Sequence, residues 1–156
     1  MTATHPFERS HSIVIAAAPA AVFDYVTNPH SWPQWLPSSH EIQCDDRPMR
    51  FGDTFHEHWS TRTGPVDLDW LVIACEHPRL WIGLTRTAFM GPIVVQYVCE
   101  PVDGGTRFIR TMRNPARPKP PTTEMIARMD LEAALGLENI RRHVEETAKI
   151  RPLSLT

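Results

Sequence analysis

Apolar and polar residues alternate with a period of two through most of residues 51–113. This alternation is typical of antiparallel strands that bury one face, and turn-forming residues interrupt it at intervals. The turn-forming groups are Gly64-Pro65, His77-Pro78, Gly91-Pro92 and Asp103-Gly104-Gly105. The pattern predicts consecutive antiparallel strands at 51–60, 66–76, 79–87, 92–101 and 105–113.

A strand followed by a helix is predicted near the start of the chain. Residues 10–17 are rich in Ile and Val, which favours a strand. Pro19 then stands where the first turn of a helix tolerates proline. The helix presents one apolar face, which is formed by Val22, Phe23 and Val26.

The segment after this helix is rich in tryptophan and proline. Asn28-Pro29 ends the helix, because proline disfavours helical geometry in the residue before it. Trp32 and Trp35 then lie on a short second helix or turn, and a second strand is predicted at about 39–45. The start of the chain thus supplies two strands joined by short helices.

The end of the chain predicts one long helix. Residues 114–121 contain too many prolines for a strand or a helix interior and form a stiff connection. Residues 122–148 then carry an apolar stripe at spacings of three and four, with Thr122 or Thr123 available as the N-cap. The stripe consists of Ile126, Met129, Ala133, Leu137, Ile140 and Val144. Gly136 lies beside this stripe and either leaves room for a ligand or permits close packing.

The order of these elements predicts an α+β fold in which a curved, seven-stranded antiparallel sheet wraps around the C-terminal helix. Residues 1–156 are expected to form a single domain. Alternate residues of each strand would face the helix. The expected inward residues are Phe55, Glu57 and Trp59; Val66, Leu68, Trp70, Val72 and Ala74; Val95, Tyr97 and Cys99; and Phe108, Arg110 and Met112. The inward face of the strand at 79–87 is left undecided, because Leu80/Ile82/Leu84 and Trp81/Thr85 both fit as the inward set.

Composition narrows the classes of protein that fit. The net charge is −2 and no basic stripe stands out, so nucleic acid is not an expected partner. Cys44, Cys75 and Cys99 include no CxxC pair, which indicates reduced thiols in a cytoplasmic protein without a zinc site or disulfide framework. The N-terminal residues resemble neither a signal peptide nor a membrane span. The composition leaves the oligomeric state open.

The chain resembles the START-like, or helix-grip, superfamily of polyketide cyclases, dehydrases and lipid-transfer proteins. The resemblance rests on the strand–helix order at 12–35, on Gly52-Asp53-Thr54-Phe55, and on the hairpin Pro101-Val102-Asp103-Gly104-Gly105-Thr106. It implies an internal cavity that admits a small hydrophobic ligand at the end of the sheet where the first and third hairpins of the 51–113 region lie. The residues expected at that rim are Arg62, Phe89, Met90, Arg117 and Lys119.

Three polar residues are the candidates for chemistry within this cavity. Glu57 lies between the inward residues Phe55 and Trp59, where a carboxylate must be paired, protonated or hydrated. Arg110 interrupts its own apolar face in the same way, and could pair with Glu57, bind a ligand or be hydrated. Tyr97 is an inward phenol that could orient a carbonyl or hydroxyl group.

The remaining expected ligand contacts are apolar, and no metal or cofactor is predicted. These contacts are Phe55, Trp59, Leu68, Trp70, Phe108, Met112, Met129, Ala133 and Gly136. His56 and His58 share a strand face but lack a third ligand at suitable spacing, so an exposed polar face is the better interpretation. Asp67 and Asp69 fit the same interpretation.

Three functions are therefore compatible with the sequence. The first is binding of a small hydrophobic or aromatic molecule in the internal cavity. The second is an enzyme of the polyketide cyclase/dehydrase type that uses Glu57, Arg110 and Tyr97. The third is a non-catalytic, partner-binding regulatory domain, which would have a filled cavity and an exposed apolar patch.

Overall fold

A computed structural model describes residues 3–154, with the side chains of residue 39 and residues 150–154 left out. Seven antiparallel strands form one sheet in the order β1-β7-β6-β5-β4-β3-β2. The strands are β1 Phe7–Ile15, β2 Ser39–Gln43, β3 Thr54–Thr61, β4 Gly64–Glu76, β5 Leu80–Thr87, β6 Gly91–Val102 and β7 Gly105–Asn114. The helices are α1 Pro19–Val26, a 3₁₀ turn at Pro29–Ser31, α2 Trp32–Trp35 and α3 Thr123–Ser154. This architecture confirms the predicted fold class.

The inner face of the sheet agrees with the predicted alternation on β3, β6 and β7. Phe55, Glu57, Val95, Tyr97 and Cys99 are all buried. The inward face of β7 is confirmed by its pairing with β6, since Cys99 lies opposite Phe108, Tyr97 opposite Arg110 and Val95 opposite Met112.

The predicted inward face is wrong at the end of β4. On β5, the structure decides between the two alternatives. A β-bulge between Val72 and Ala74 shifts the register, so that Cys75 lies opposite the buried Trp81. Ala74 is therefore not an inward residue, contrary to the prediction, because one extra residue in a strand reverses the faces that follow it. On β5, Trp81 and Thr85 are the inward set, and Leu80, Ile82 and Leu84 belong to the opposite face.

The Gly-Gly-Thr hairpin between β6 and β7 has a steric origin. Gly104 has a φ of +82°, which is accessible to glycine without strain. A Cβ on Gly105 would lie 2.0 Å from the Ile15 carbonyl oxygen, so no side chain fits there. The Thr106 hydroxyl donates a hydrogen bond to the Ala17 carbonyl at 2.8 Å. The hairpin thus fixes the point where the chain leaves β1 for α1.

Helix α3 is fixed differently along its length. Thr122 is the N-cap, because its hydroxyl accepts a hydrogen bond from the Met125 amide at 3.1 Å. The later part of the helix contributes Leu137, Ile140 and Val144 to the central core. The stripe residues nearer its start are only half-buried: Ile126, Met129 and Ala133.

An ion pair holds the first half of α3 to the sheet edge. Asp130 accepts hydrogen bonds from Arg9 Nε at 2.8 Å and Arg9 Nη2 at 2.5 Å. His11 Nε2 also lies 2.7 Å from Asp130 Oδ1. Arg9 and His11 are on β1, opposite Met112 and Arg110 of β7, so the contact links the helix to the inner face of the sheet.

Candidate functional site

Aromatic rings fill the inner face of the sheet where α2 packs against it. Trp32 contacts Phe55, Trp70 and Trp81 edge-on, with ring centroids separated by 5.3, 5.6 and 6.3 Å. Trp81 also stacks on Tyr97 at 5.1 Å. Through these contacts, the tryptophan-rich segment after α1 packs large rings against the inner face of the sheet. The interior is thus an aromatic site bounded by α2 and the sheet.

Glu57 is an acidic residue of this interior, and it is only 2% exposed. Its Oε1 accepts a hydrogen bond from Trp70 Nε1 at 3.0 Å, and its Oε2 bonds to His40 Nδ1. The His40 ring stacks on Trp59 with centroids 5.7 Å apart and planes 10° apart. A buried carboxylate requires such partners, because burial without them is costly. Glu57 and His40 form a buried acid–base pair that Trp70 and Trp59 hold in position.

The sequence interpretation missed His40, although it lies within a strand that was predicted. β2 pairs with β3 so that His40 is opposite Trp59 and Ile42 is opposite Glu57. The period-two alternation of the second strand would place His40 and Ile42 on one face. Which face points inward depends on the register of β2 against β3, and a five-residue strand gives little pattern from which to infer it.

Arg110 has different partners from those that the sequence suggested. Within the described part of the chain it forms no ion pair with Glu57, whose carboxylate is already occupied by His40 and Trp70. The Arg110 guanidinium instead lies over the Trp35 ring, 5.7 Å from its centroid. Such cation–π contacts stabilise a guanidinium without neutralising it. Arg110 therefore retains its capacity to bind an anionic or carbonyl oxygen.

Tyr97 is buried on β6 beside Arg110 of β7 and stays protonated at neutral pH. Burial raises the pKa of its phenol to about 12, the Arg110 charge and hydrogen bond act against this, and the Glu57 charge adds to it. Tyr97 pairs with Arg110 across β6 and β7, whereas Glu57 lies three strands away on β3 of the same inner face. A protonated phenol can donate a hydrogen bond to a ligand oxygen.

Two buried donors on the inner face of the sheet, one on β3 and one on β7, lack hydrogen-bond partners among the described residues. They are the indole Nε1 of Trp59 and the Nε of Arg110. A buried donor without a partner costs about 1–3 kcal/mol, so native proteins rarely keep one without a reason. Both atoms are N–H donors, and both would be satisfied by an oxygen acceptor.

The other predicted contacts divide into core and border positions. Leu68 and Phe108 are buried in the core, whereas Trp59, Met112, Met129 and Ala133 are half-buried. Gly136 packs against α2, where an added Cβ would lie 3.1 Å from the Trp35 carbonyl oxygen. Close packing thus explains this glycine.

The expected rim residues share one end of the sheet but not one environment. Phe89 is exposed, and Met90 packs against the core. Arg117 is buried and its Nε donates to the Lys119 carbonyl at 2.9 Å. Gly91 lies against Ala116, so the β5–β6 hairpin contacts the segment that follows β7.

The histidine pair on β3 belongs to the outer face. His56 bonds to Asp69 at 2.9 Å and to Asp67 at 3.1 Å, and His58 bonds to Asp67 at 2.9 Å. Hydrogen bonds from both histidines hold the pKa of Asp67 below its usual value. Among residues 3–154 as described, no cluster of His, Cys, Asp and Glu is arranged to hold a metal ion.

Two surface pockets lie outside the aromatic interior. One has a volume of about 300 Å³ and is lined by Tyr25, Asn28, His30, Ser31, Gln34 and Asp46. The other has a volume of about 590 Å³ and lies beside the connection between β2 and β3. This second one, the turn pocket, is lined by Phe23, Asp24, Pro48, Met49, Arg50, Phe51, Cys75 and His77.

A curved sheet that grips a long C-terminal helix defines the helix-grip class of proteins. Residues 6–145 match the family described as polyketide cyclase / dehydrase and lipid transport, and the chain belongs to that family. Comparison with curated protein sequences gives no match. Across the described helices, none combines the length and apolarity needed to cross a bilayer.

Several solved structures share the fold at low sequence identity. CV1439 from Chromobacterium violaceum has a TM-score of 0.69 at 14% identity, over 88% of this chain and 96% of that one. SA2116 from Staphylococcus aureus, a protein of unknown function, has a TM-score of 0.69 at 15% identity, over 94% and 97%. A protein from Rhodobacter sphaeroides has a TM-score of 0.69 at 20% identity, over 88% and 91%. Identities this low establish the common fold alone.

Proposed function

We propose that the protein binds a small hydrophobic or aromatic molecule carrying an oxygen acceptor, in the interior between the sheet and α3. The observation that carries this proposal is the pair of unsatisfied donors, Trp59 Nε1 and Arg110 Nε, in an aromatic interior. Ligand sites are commonly apolar with a few convergent polar groups. A ketone, ester or carboxylate oxygen would satisfy either donor, while the rings would contact the apolar body.

The half-buried border of the site supports this assignment. Met112 on β7 and Met129 in the first half of α3 are both half-buried. Methionine side chains adapt their shape at low cost, which suits a site that must admit molecules. The ligand would therefore displace methionine side chains near the start of α3, while the buried later half of the helix remains in place.

The His40–Glu57 pair supports a second function, an acid–base enzyme of the cyclase/dehydrase type. Glu57 holds His40 through Nδ1, and His40 Nε2 makes no hydrogen bond within the described residues. In this scheme Nε2 removes a proton from the ligand, and the Glu57 carboxylate stabilises the imidazolium that forms. Tyr97 and Arg110 would stabilise the resulting oxyanion by hydrogen bonding and charge.

Binding affinities of paired variants test the first function. Aromatic ketones of one to three rings serve as probes, and the corresponding hydrocarbons lack the acceptor. We expect Trp59→Phe and Arg110→Met each to weaken ketone binding about fivefold to tenfold, with little effect on the hydrocarbons. Arg107→Met, on the exposed face of the same strand, is the matched control and should leave both affinities unchanged.

Thermal stability of the same variants separates binding from folding. Trp59→Phe removes a donor that has no partner, so the free protein should be as stable as the wild type or up to about 1 kcal/mol more stable. Weaker ketone binding in a stable Trp59→Phe protein supports the proposal. Ketone affinities that are unchanged in both variants would exclude these donors from any ligand site.

The second function is tested by turnover. A carrier returns its ligand unchanged, whereas an acid–base enzyme exchanges or removes an acidic proton of a bound ketone. We would measure deuterium exchange at the carbon next to the carbonyl, in the wild type and in His40→Gln. Exchange that the wild type accelerates and His40→Gln does not would establish an enzyme. An exchange rate equal to the rate in buffer alone would leave binding as the function.

A further inference from the structure

The turn pocket lies at the opposite end of the sheet from the β3–β4 and β5–β6 hairpins. Its walls come from α1, from the connection between β2 and β3, and from the β4–β5 hairpin. A volume of about 590 Å³ is within the range of small-molecule sites. The interior site proposed above makes no use of these residues.

The turn that carries Arg50 and Phe51 is held rigidly. Gly52 has a φ of +86°, and its amide donates to the Val72 carbonyl at 2.9 Å. The Asp53 carboxylate accepts hydrogen bonds from the Arg50 amide at 2.7 Å and from Arg47 Nη1 at 2.8 Å. These bonds hold the pKa of Asp53 below its usual value, so the carboxylate stays charged and the turn stays closed.

The preceding residue, Met49, anchors the same segment to the core. Its amide donates to the Thr27 carbonyl at 3.0 Å, and its carbonyl accepts from Trp81 Nε1 at 3.1 Å. Both sides of the turn are thus fixed before any ligand binds. A preformed site loses less conformational entropy on binding than a flexible one.

This rigid turn presents an apolar ring and a cation to the pocket. Phe51 is 73% exposed, although the turn could carry a polar residue at this position without loss of its hydrogen bonds. The Arg50 side chain forms no hydrogen bond or ion pair with any described residue. An exposed ring beside an unpaired guanidinium suits a molecule with an apolar body and an anionic end.

The opposite wall carries a paired carboxylate and an uncharged thiol. The Asp24 carboxylate is hydrogen-bonded to His77 Nε2 at 3.0 Å, and the His77 ring contacts Phe23 edge-on at 5.2 Å. Burial raises the pKa of the Cys75 thiol, so it lines the wall as an uncharged group. Arg50 is therefore the charged residue of the lining whose side chain has no partner among the described residues.

We infer that the turn pocket is a second binding site and that its ligand is a small aromatic carboxylate. The carboxylate would form two parallel hydrogen bonds with the Arg50 guanidinium, and the ring would lie against Phe51 and the apolar wall. A carboxylate is favoured over a more highly charged group, because the pocket offers a single unpaired cation. The site is independent of ligand binding in the interior.

Amide resonances in the intact protein test this inference with 1-naphthoate as the probe. We expect saturable shifts at Phe51, Gly52 and Cys75, and an affinity about tenfold weaker in Arg50→Gln. Phe51→Ala should also weaken binding severalfold, and both residues are exposed, so both variants should fold. Arg86→Gln, an exposed arginine on β5, is the matched control and should bind as the wild type does.

The neutral probe 1-naphthamide distinguishes charge recognition from general affinity for rings. It should bind the wild type about as weakly as 1-naphthoate binds Arg50→Gln. Equal binding of the acid and the amide, or shifts confined to interior residues such as Trp59 and Tyr97, would overturn the inference. Failure of the turn pocket to bind 1-naphthoate would leave the interior proposal standing, because the interior donors are tested separately by Trp59→Phe and Arg110→Met.

Discussion

Glu57 shows how a single buried charge is accommodated at the residue scale. Its two oxygens are bonded to groups from strands on either side of it, His40 on β2 and Trp70 on β4. Arg110, the cation that alternation suggested as its partner, contacts Trp35 instead. Because a buried carboxylate depends on its neighbours, the pair that matters for stability is Glu57 with His40.

A double-mutant cycle on stability checks this pairing. Glu57→Gln should destabilise the protein by about 3 kcal/mol, because it removes the buried charge and leaves one acceptor oxygen for the two donors His40 and Trp70. Together with His40→Gln, the coupling energy from urea unfolding should exceed about 1 kcal/mol, and with Arg110→Met it should be smaller. Glu41→Gln, on the exposed face of β2, should change stability little. Equal coupling to His40 and Arg110 would contradict the pairing.

The residues of the site were predictable to different degrees. Alternation alone places Glu57, Tyr97 and Arg110 on the inner face, because β3, β6 and β7 are long and regular. It does not reveal which inner residues touch, since that depends on strand register and on where α2 packs. His40 and the unsatisfied state of the Trp59 indole became visible only once that register was known.

At the scale of elements, sequence patterns fail where the backbone departs from a regular strand. Residues 51–53 form a turn before β3, although they extend an alternating run, because Gly52 adopts a positive φ. The bulge in β4 reverses the faces after Val72 without any change in residue type. On β5 both faces are apolar, so hydrophobicity could not distinguish the buried Trp81 and Thr85 from Ile82 and Leu84.

Helix α3 is held by buried side chains in its later half and by an ion pair in its earlier half. Its later part is held by the buried residues Leu137, Ile140 and Val144. Its earlier part is held to β1 by Asp130, which is bonded to Arg9 and His11. If ligands reach the interior beside Met129, the Asp130 contacts regulate how readily that part of the helix moves.

Hydrogen exchange tests this role of Asp130. In Asp130→Asn, amides of 123–133 should exchange severalfold faster, whereas those of 137–148 should be unchanged. Glu146→Gln, which is exposed near the other end of α3, is the control and should alter neither region. Uniform acceleration along the whole helix would contradict a division into two halves.

The pH dependence of this contact follows from the sign of the shift. Hydrogen bonds from Arg9 and then His11 hold the pKa of Asp130 well below its usual value of 3.8. A carboxylate whose pKa is lower in the folded state stabilises that state at any pH above its pKa in the unfolded chain. This contribution is lost as the pH falls through its pKa in the folded state. The exchange rates of the amides of 123–133 in the wild type, corrected for intrinsic rates, should therefore be no faster at pH 5 than at pH 7, because Asp130 stays ionised over this range.

At the scale of the whole molecule, the two ends of the sheet carry different sites. The hairpins β3–β4 and β5–β6 and the segment after β7 share one end, where β5–β6 contacts Ala116. The turn pocket lies at the other end, and the aromatic interior separates the two. The overall architecture followed from the order and length of the elements, whereas the positions of both sites depend on contacts between elements that are distant in sequence.

Indole N–H resonances test the central claim, ligand binding through unsatisfied interior donors, most directly. Four of the five tryptophans already donate hydrogen bonds: Trp32 to Val26, Trp35 to Ser31, Trp70 to Glu57 and Trp81 to Met49. Trp59 alone has an indole N–H without a partner among the described residues. Titration with an aromatic ketone should move the Trp59 resonance downfield and shift the other four far less, as expected for one new hydrogen bond. A saturating ketone that leaves the Trp59 resonance in place would contradict the account.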